Sequence, residues 1–196
     1  DAPVNSVPGA QTAQQNGSLT FSTANSNAIS ISDVDAGGAN VTLTLTADHG
    51  TLALGSAAGL FSVSGDGTAT VTAVGTLANL NAALQGLTYT FTSGYSGPAG
   101  LDVLINDGGN TGTGGSLSDT DTIAITVVAN NAPVLDALKT PVLNNQLEDS
   151  GAPSGAVGTL VSALVDNTSP VGGLDNVTDT DGPALGIAIT GAATAS

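Results

Sequence analysis

In the run Val41-Thr42-Leu43-Thr44-Leu45-Thr46, apolar and hydroxyl side chains alternate strictly. A period of two puts Val41, Leu43 and Leu45 on one face and predicts a strand that buries that face and wets the other. Comparable runs span 28–31, 51–54, 60–63, 68–73, 87–91, 101–105 and 122–128, most of them divided by Gly, Asn or Asp. Short strands at this spacing predict an antiparallel sandwich rather than alternating helices and strands. One segment breaks the pattern. Leu77, Leu80 and Leu84 stand at i, i+3 and i+7, with Thr76 placed to cap the start and Gly86 the end. That spacing predicts two turns of helix crossing between sheets. The stretch 108–115 has no apolar residue and is expected to be a loop. It lacks the Gly-Lys-Ser/Thr ending of a phosphate cradle and leads to a strand rather than a helix.

The chain repeats itself once. Asp1-Ala2-Pro3-Val4 returns as Asn131-Ala132-Pro133-Val134, an offset of 130 residues, and each copy leads to an acidic triplet. The triplet is Asp33-Val34-Asp35 in the first copy and Asp179-Thr180-Asp181 in the second, where the spacer is 16 residues longer. The expected domains are therefore a complete repeat over 1–130 and the first part of another over 131–196. Sixty-six residues amounting to half a sandwich would leave sheet edges and apolar faces open. The runs 157–165 and 185–190 are expected to pair with another element, in the first repeat or in a neighbouring subunit. The alternatives are a smaller self-contained sandwich, or further chain.

Composition narrows the chemistry. Sixteen acidic residues against Lys139 and no arginine give a net charge of −15. Binding to nucleic acid or to an anionic membrane surface needs Lys and Arg, so both are excluded. No apolar stretch approaches the roughly 20 residues of a spanning helix. With no cysteine there are no disulfides, thiolate metal sites or thiol catalysis. Asp1 opens on a turn-like Asp-Ala-Pro-Val without the features of a signal peptide, as expected for a segment of a longer chain.

The one histidine, His49 in Ala47-Asp48-His49-Gly50, falls where a hairpin turn is expected and reads as a solvated turn residue. Nothing in the pattern points to a Ser-His-Asp arrangement, so no enzymatic role is expected. A carbohydrate site would need a groove lined with aromatics, and the chain has only Tyr89, Tyr95 and three Phe to offer, Tyr95 on a Ser-Gly-rich loop being the best placed.

The carboxylates are grouped rather than scattered: Asp33-x-Asp35, Asp119-x-Asp121, Asp179-x-Asp181, Glu148-Asp149, and Asp107 within Asn106-Asp107-Gly108-Gly109. Without compensating cations, such groups are either solvated turn caps or oxygen ligands of a hard ion. Calcium, which takes six to eight oxygens in relaxed geometry, suits loops on a β scaffold. Asp119-x-Asp121 runs straight into a strand and is the best case for a turn cap.

Taken in order, the Ala-Pro-Val start, Leu19-Thr20-Phe21-Ser22, Ile31-Ser32-Asp33-Val34-Asp35-Ala36-Gly37, His49-Gly50-Thr51-Leu52, Asn106-Asp107-Gly108 and Asp119-Thr120-Asp121-Thr122 resemble the cadherin-like tandem repeats of large secreted bacterial surface adhesins. The resemblance implies an all-β fold: cadherin/immunoglobulin-like antiparallel β-sandwich repeats with one short crossover helix. It implies Ca2+ between successive repeats, held by an acidic pair near a repeat start, the linker and the Asp-x-Asp turn. The ligands would be Glu148, Asp149, Asp179 and Asp181, with Asn130 and Asn131 supplying amide or backbone oxygens. In the first repeat the acidic pair is replaced by Gln15-Asn16, which leaves Asp33 and Asp35 in weaker company. The implied function is a calcium-stabilised spacer or adhesin segment at the cell surface. Its partners would be neighbouring repeats, identical subunits, or cell-surface and matrix ligands. The alternative is a subunit of an extracellular filament or surface layer joined by strand complementation.

Overall fold

The computed structural model describes residues 1–109 and 115–131, together with two short strands at 134–135 and 177–178. The chain divides into two units, Asp1–Ala129 and Asn130–Ser196.

The first unit is an all-β sandwich with one short helix. Its strands are β1 (Val4–Ser6), β2 (Gln11–Gln14), β3 (Ser18–Phe21), β4 (Ser30–Ser32), β5 (Val41–Ala47), β6 (Gly50–Ala53), β7 (Ser62–Ser64), β8 (Thr70–Gly75), β9 (Leu87–Phe91), β10 (Gly97–Asn106) and β11 (Ser118–Val128); the helix α1 is Leu77–Leu84. One layer is a six-stranded sheet in the order β2-β11-β10-β5-β8-β7, the other a three-stranded sheet β3-β9-β6. The pair β1-β4 packs against β10, β11 and α1. Every pairing is antiparallel except β2 with β11, which is parallel.

The alternation in the sequence becomes the core. Val41, Leu43 and Leu45 are buried, as are Val71, Leu101, Val103, Ile105, Ile123 and Ile125 of the same sheet. Phe21, Leu52, Leu87 and Tyr89 of the smaller sheet close on them. Each large side chain fully buried here contributes about 1.5–3 kcal/mol relative to exposure. Helix α1 starts where the Thr76 side chain accepts from the Asn79 N–H and ends at Gln85. Gly86 then takes φ +89°, a turn that a side chain would strain, and its N–H reaches Phe21 O at 2.9 Å. The helix joins β8 of one sheet to β9 of the other, so the predicted crossover is present.

Four local expectations change. Asp48 and His49 do not close a hairpin: β5 belongs to the six-stranded sheet and β6 to the three-stranded one, so these residues carry the chain from layer to layer. Asp119-x-Asp121 lies inside β11 rather than on a turn. Phe61, inside a predicted strand, precedes β7 and is 77% exposed. Strands β1, β2 and β3 form where the alternation gave no signal, because β1 and β2 are short, mostly polar and made by pairing with distant partners.

In the second unit β12 (Val134–Leu135) pairs antiparallel with β13 (Val177–Thr178), Val134 opposite Thr178 and Leu135 opposite Val177. In the first unit Val4 stands opposite Ser32 and Asn5 opposite Ile31. The offset of 130 residues carries Val4 onto Val134, and Ser32 and Thr178 each immediately precede an Asp-x-Asp triplet. The same entry strand thus pairs in the same register in both units. The runs 157–165 and 185–190, and the question of what completes residues 131–196, lie outside the described residues.

Candidate functional site

Strand β11 runs from an acidic end of the first sandwich to one that is neutral apart from Asp48, and the predicted ligands sort along it. At its start Asp119 Oδ2 accepts from the Asn5 N–H at 2.7 Å. Asn5, on β1, is buried and donates from Nδ2 to Val103 O at 3.0 Å, while its Oδ1 has no hydrogen-bond partner. Asp107, at the end of β10, is also buried, and Oδ1 of its carboxylate accepts from the N–H groups of Gly109 and Leu117, both at 2.8 Å. These backbone donors hold the Asp107 carboxyl below the ordinary carboxylate range, while burial and the charge of Asp35 push the other way.

Asp33 and Asp35 follow β4. Asp33 Oδ1 accepts from the Asp35 N–H at 3.2 Å, closing an Asx turn, while its Oδ2 is buried without a hydrogen bond. Asp35 Oδ2 accepts from the α-ammonium of Asp1 at 2.5 Å. That bond chiefly lowers the Asp35 carboxyl from its usual range, and it raises the ammonium in turn. Asp33 and Asp107 also act on the ammonium through their charge. Asp121 lies two residues beyond Asp119 on the same face of β11, half-buried and opposite Val103.

At the other end the donors and acceptors are uncharged. The Gln15 N–H bonds to Val128 O at 2.8 Å, and Gln15 Nε2 to Gly94 O at 2.6 Å. Asn16 Oδ1 accepts from the Gly94 N–H and the Ser93 hydroxyl. Nine residues of strand, roughly 30 Å, separate Asp119 from Val128. The Gln15-Asn16 pair therefore does not accompany Asp33 and Asp35 but clamps the 92–97 turn at the far end. Asn130 and Asn131, both exposed, follow that far end of β11 in the chain. Glu148, Asp149, Asp179 and Asp181 lie outside the described residues.

The acidic end offers oxygen donors of the kind a hard cation takes, and the unpartnered Asp33 Oδ2 is consistent with one. The donors fit in kind but not in number: among the described residues no three of His, Cys, Asp or Glu converge to hold a metal ion. Six to eight oxygens would be needed for calcium.

His49, exposed at the neutral end, stacks on Tyr95 with ring centroids 3.9 Å apart and planes 15° from parallel. The Tyr95 hydroxyl donates to Pro98 O. Tyr89 is buried, its hydroxyl donating to Asp48 O at 3.3 Å; burial, helped by the charge of Asp48, pushes the phenol up to about 12. With Phe21 and Phe91 also in the core, the aromatics do not line a groove. Sequence reasoning missed Asn5, since one Asn in a polar stretch carries no sign that it will be buried between β10 and β11.

No family model matches the chain, and no curated protein matches it. Among solved structures, a chain from the crystal structure of a CaDoc0917–CaCohA2 complex at pH 5.5 is similar at a TM-score of 0.41 and 13% identity, over 65% of this chain and 100% of that one. No helix among the described residues is long and apolar enough to cross a membrane.

Proposed function

We propose that the chain is a structural, adhesive repeat module of a bacterial extracellular surface protein, a spacer stiffened by calcium, without a catalytic role. The observation that supports this reading is the repeated entry strand: Val4 opposite Ser32 and Val134 opposite Thr178, each pair leading directly into Asp-x-Asp. A unit that begins again in the same register is built for concatenation. At the acidic end of the first sandwich Asp33 Oδ2 is buried without a hydrogen bond, and Asp35 and Asp107 are near enough to act on each other through their charge, the electrostatic character that calcium would exploit.

The test is thermal unfolding of the 196-residue chain by circular dichroism, with calcium and with chelator, alongside small-angle X-ray scattering in both. A site that is filled with free ion a hundredfold above its dissociation constant stabilises by about 2.7 kcal/mol. The reading predicts a higher midpoint and a stiffer, more extended particle in calcium, with magnesium less effective. Identical midpoints and identical scattering in calcium and chelator would remove calcium stiffening, and with it the spacer reading.

A further inference from the structure

We infer that the first sandwich holds a calcium ion of its own, between the β1–β4 pair and β11, with Asn5 Oδ1, Asp33 Oδ2 and Asp119 as its protein ligands. Such an ion rests on the calcium reading above, but it lies within one unit, apart from the ligands implied at 130–131, 148–149 and 179–181. Two buried oxygens point to it. Asn5 Oδ1 and Asp33 Oδ2 both lack a hydrogen-bond partner. Asn5 is only 8% exposed, and its other polar groups on this side are used, the N–H on Asp119 Oδ2 and Nδ2 on Val103 O. The Nδ2 bond fixes the amide, so Oδ1 is what remains to be satisfied.

Register puts the two oxygens on one face. Asn5 stands opposite Ile31, and Asp33 is two residues beyond Ile31. Pro3, Asn5 and Ile31 are buried and Asp33 is half-buried, while Val4 and Ser32 are exposed. Asn5 and Asp33 are therefore diagonal neighbours on the inward face, about 7–8 Å apart along the backbone, a gap that an ion between two short side chains spans.

The facing strands bring charge to the same place. Inward positions of β11 read Ile125, Ile123, Asp121, Asp119, and those of β10 read Val103, Ile105 and then Asp107. The apolar stripe of the core thus turns to carboxylate where these strands meet β1. Residues 1–129 contain no Lys or Arg, and carboxylates on a core-facing stripe are costly unless a cation offsets them. Amide and carboxylate oxygens are the ligands calcium takes. Among the described residues no three carboxylates converge, so water completes the shell and binding is weak, with a dissociation constant of about 10⁻⁴–10⁻³ M, as in extracellular modules.

The experiment is a calcium titration of the full chain at constant ionic strength, read by backbone amide shifts, with melting midpoints in calcium and in chelator. The wild type should show saturable shifts at residues 4–6, 32–35 and 118–121. Asp33→Asn keeps the acceptor for the Asp35 N–H but puts an NH₂ group in place of Oδ2, and should weaken binding about tenfold or more. Asn5→Asp adds a charged ligand, so it should bind calcium about tenfold more tightly while melting lower than the wild type in chelator. A role for Asn5 in packing alone would instead lower the Asn5→Asp midpoint equally in calcium and chelator, and that result would overturn the site. Shifts confined to residues 130–181 would also overturn it and leave the spacer reading standing, whereas no shifts anywhere would remove both. A long-lived water seen from the Asn5 amide and undisturbed by calcium would assign the two oxygens to a water bridge and overturn the ion.

Discussion

The two ends of the first sandwich are held by the same core but closed by different chemistry. At the acidic end, ionised carboxylates collect backbone N–H donors: Asp107 takes two, Asp119 one, and Asp33 closes its own turn. At the neutral end the same task falls to amides and rings: Asn16 and Gln15 hold Gly94, and His49 stacks on Tyr95. Charge-assisted hydrogen bonds are roughly twice as strong as neutral ones, but they depend on protonation and gather repulsion with every carboxylate added. The acidic end is thus the one whose backbone donors are closed by carboxylates, the other the one whose 92–97 turn is closed by amides.

The largest effect tests whether the ends share one core. Ile105, two residues before Asp107, and Leu101, midway along β10 and paired with Ala47 next to Asp48, are both fully buried. Ile105→Ala and Leu101→Ala should each cost about 2–5 kcal/mol in urea unfolding, since both leave a cavity that close-packed neighbours fill only in part. Both should lower the stability of amides at both ends together in hydrogen exchange. Loss of protection confined to the mutated end would show two independent halves and break the comparison.

Next come the residues that close the ends. Asp107→Ala strands the N–H groups of Gly109 and Leu117, so it should destabilise the fold and speed exchange at both amides. Asn16→Ala removes an acceptor at the other end and puts alanine at φ +62°, for about 1–2 kcal/mol. The denaturant midpoints should rank Asp107→Ala below Asn16→Ala; the reverse order would deny the acidic end its stronger closure.

Lowering the pH should separate the ends without mutation. The folded-state pKa of Asp107 is depressed, so its contribution is present above the unfolded value, about 3.9, and is lost as pH falls through the folded value. Exchange at Gly109 and Leu117, corrected for intrinsic rate, should rise below about pH 4, where carboxylates take up protons. The Gly94 amide, held by neutral Asn16, should not follow. Parallel loss of protection at all three amides would mean that global unfolding, not local protonation, governs the acidic end.

Much of this contrast was legible in the sequence, and the gaps have physical causes. Alternation identified β5 and β9, because a half-buried strand writes its own period into the chain, and leucine spacing with Thr76 placed α1. Alternation does not say which sheet a strand joins, so the passage at Asp48-His49 between layers was invisible. The carboxylate groups at 33–35 and 107 were legible as groups, but their sorting to one end depends on long-range register, as does the opposite placement of Gln15-Asn16. Asn5 was not legible at all, since its burial is dictated by β10 and β11, about a hundred residues away.

The smallest effect probes the neutral end alone. Tyr95 makes two contacts of different kinds, a ring stack with His49 and a hydroxyl bond to Pro98 O. Tyr95→Phe keeps the first and removes the second, while His49→Ala does the reverse. A single neutral hydrogen bond is worth about 0.5–1.5 kcal/mol, and a stacked ring pair about the same beyond its buried area. Each substitution should therefore move the unfolding free energy by about 1 kcal/mol, and the double variant by close to the sum if the contacts act separately. Neither should alter the pH dependence of Gly109 and Leu117, because no charge has changed within reach of Asp107. A double variant costing well over the sum would mean that the stack and the bond position each other, and that the neutral end is a cooperative clasp between the β5–β6 passage and the 92–97 turn.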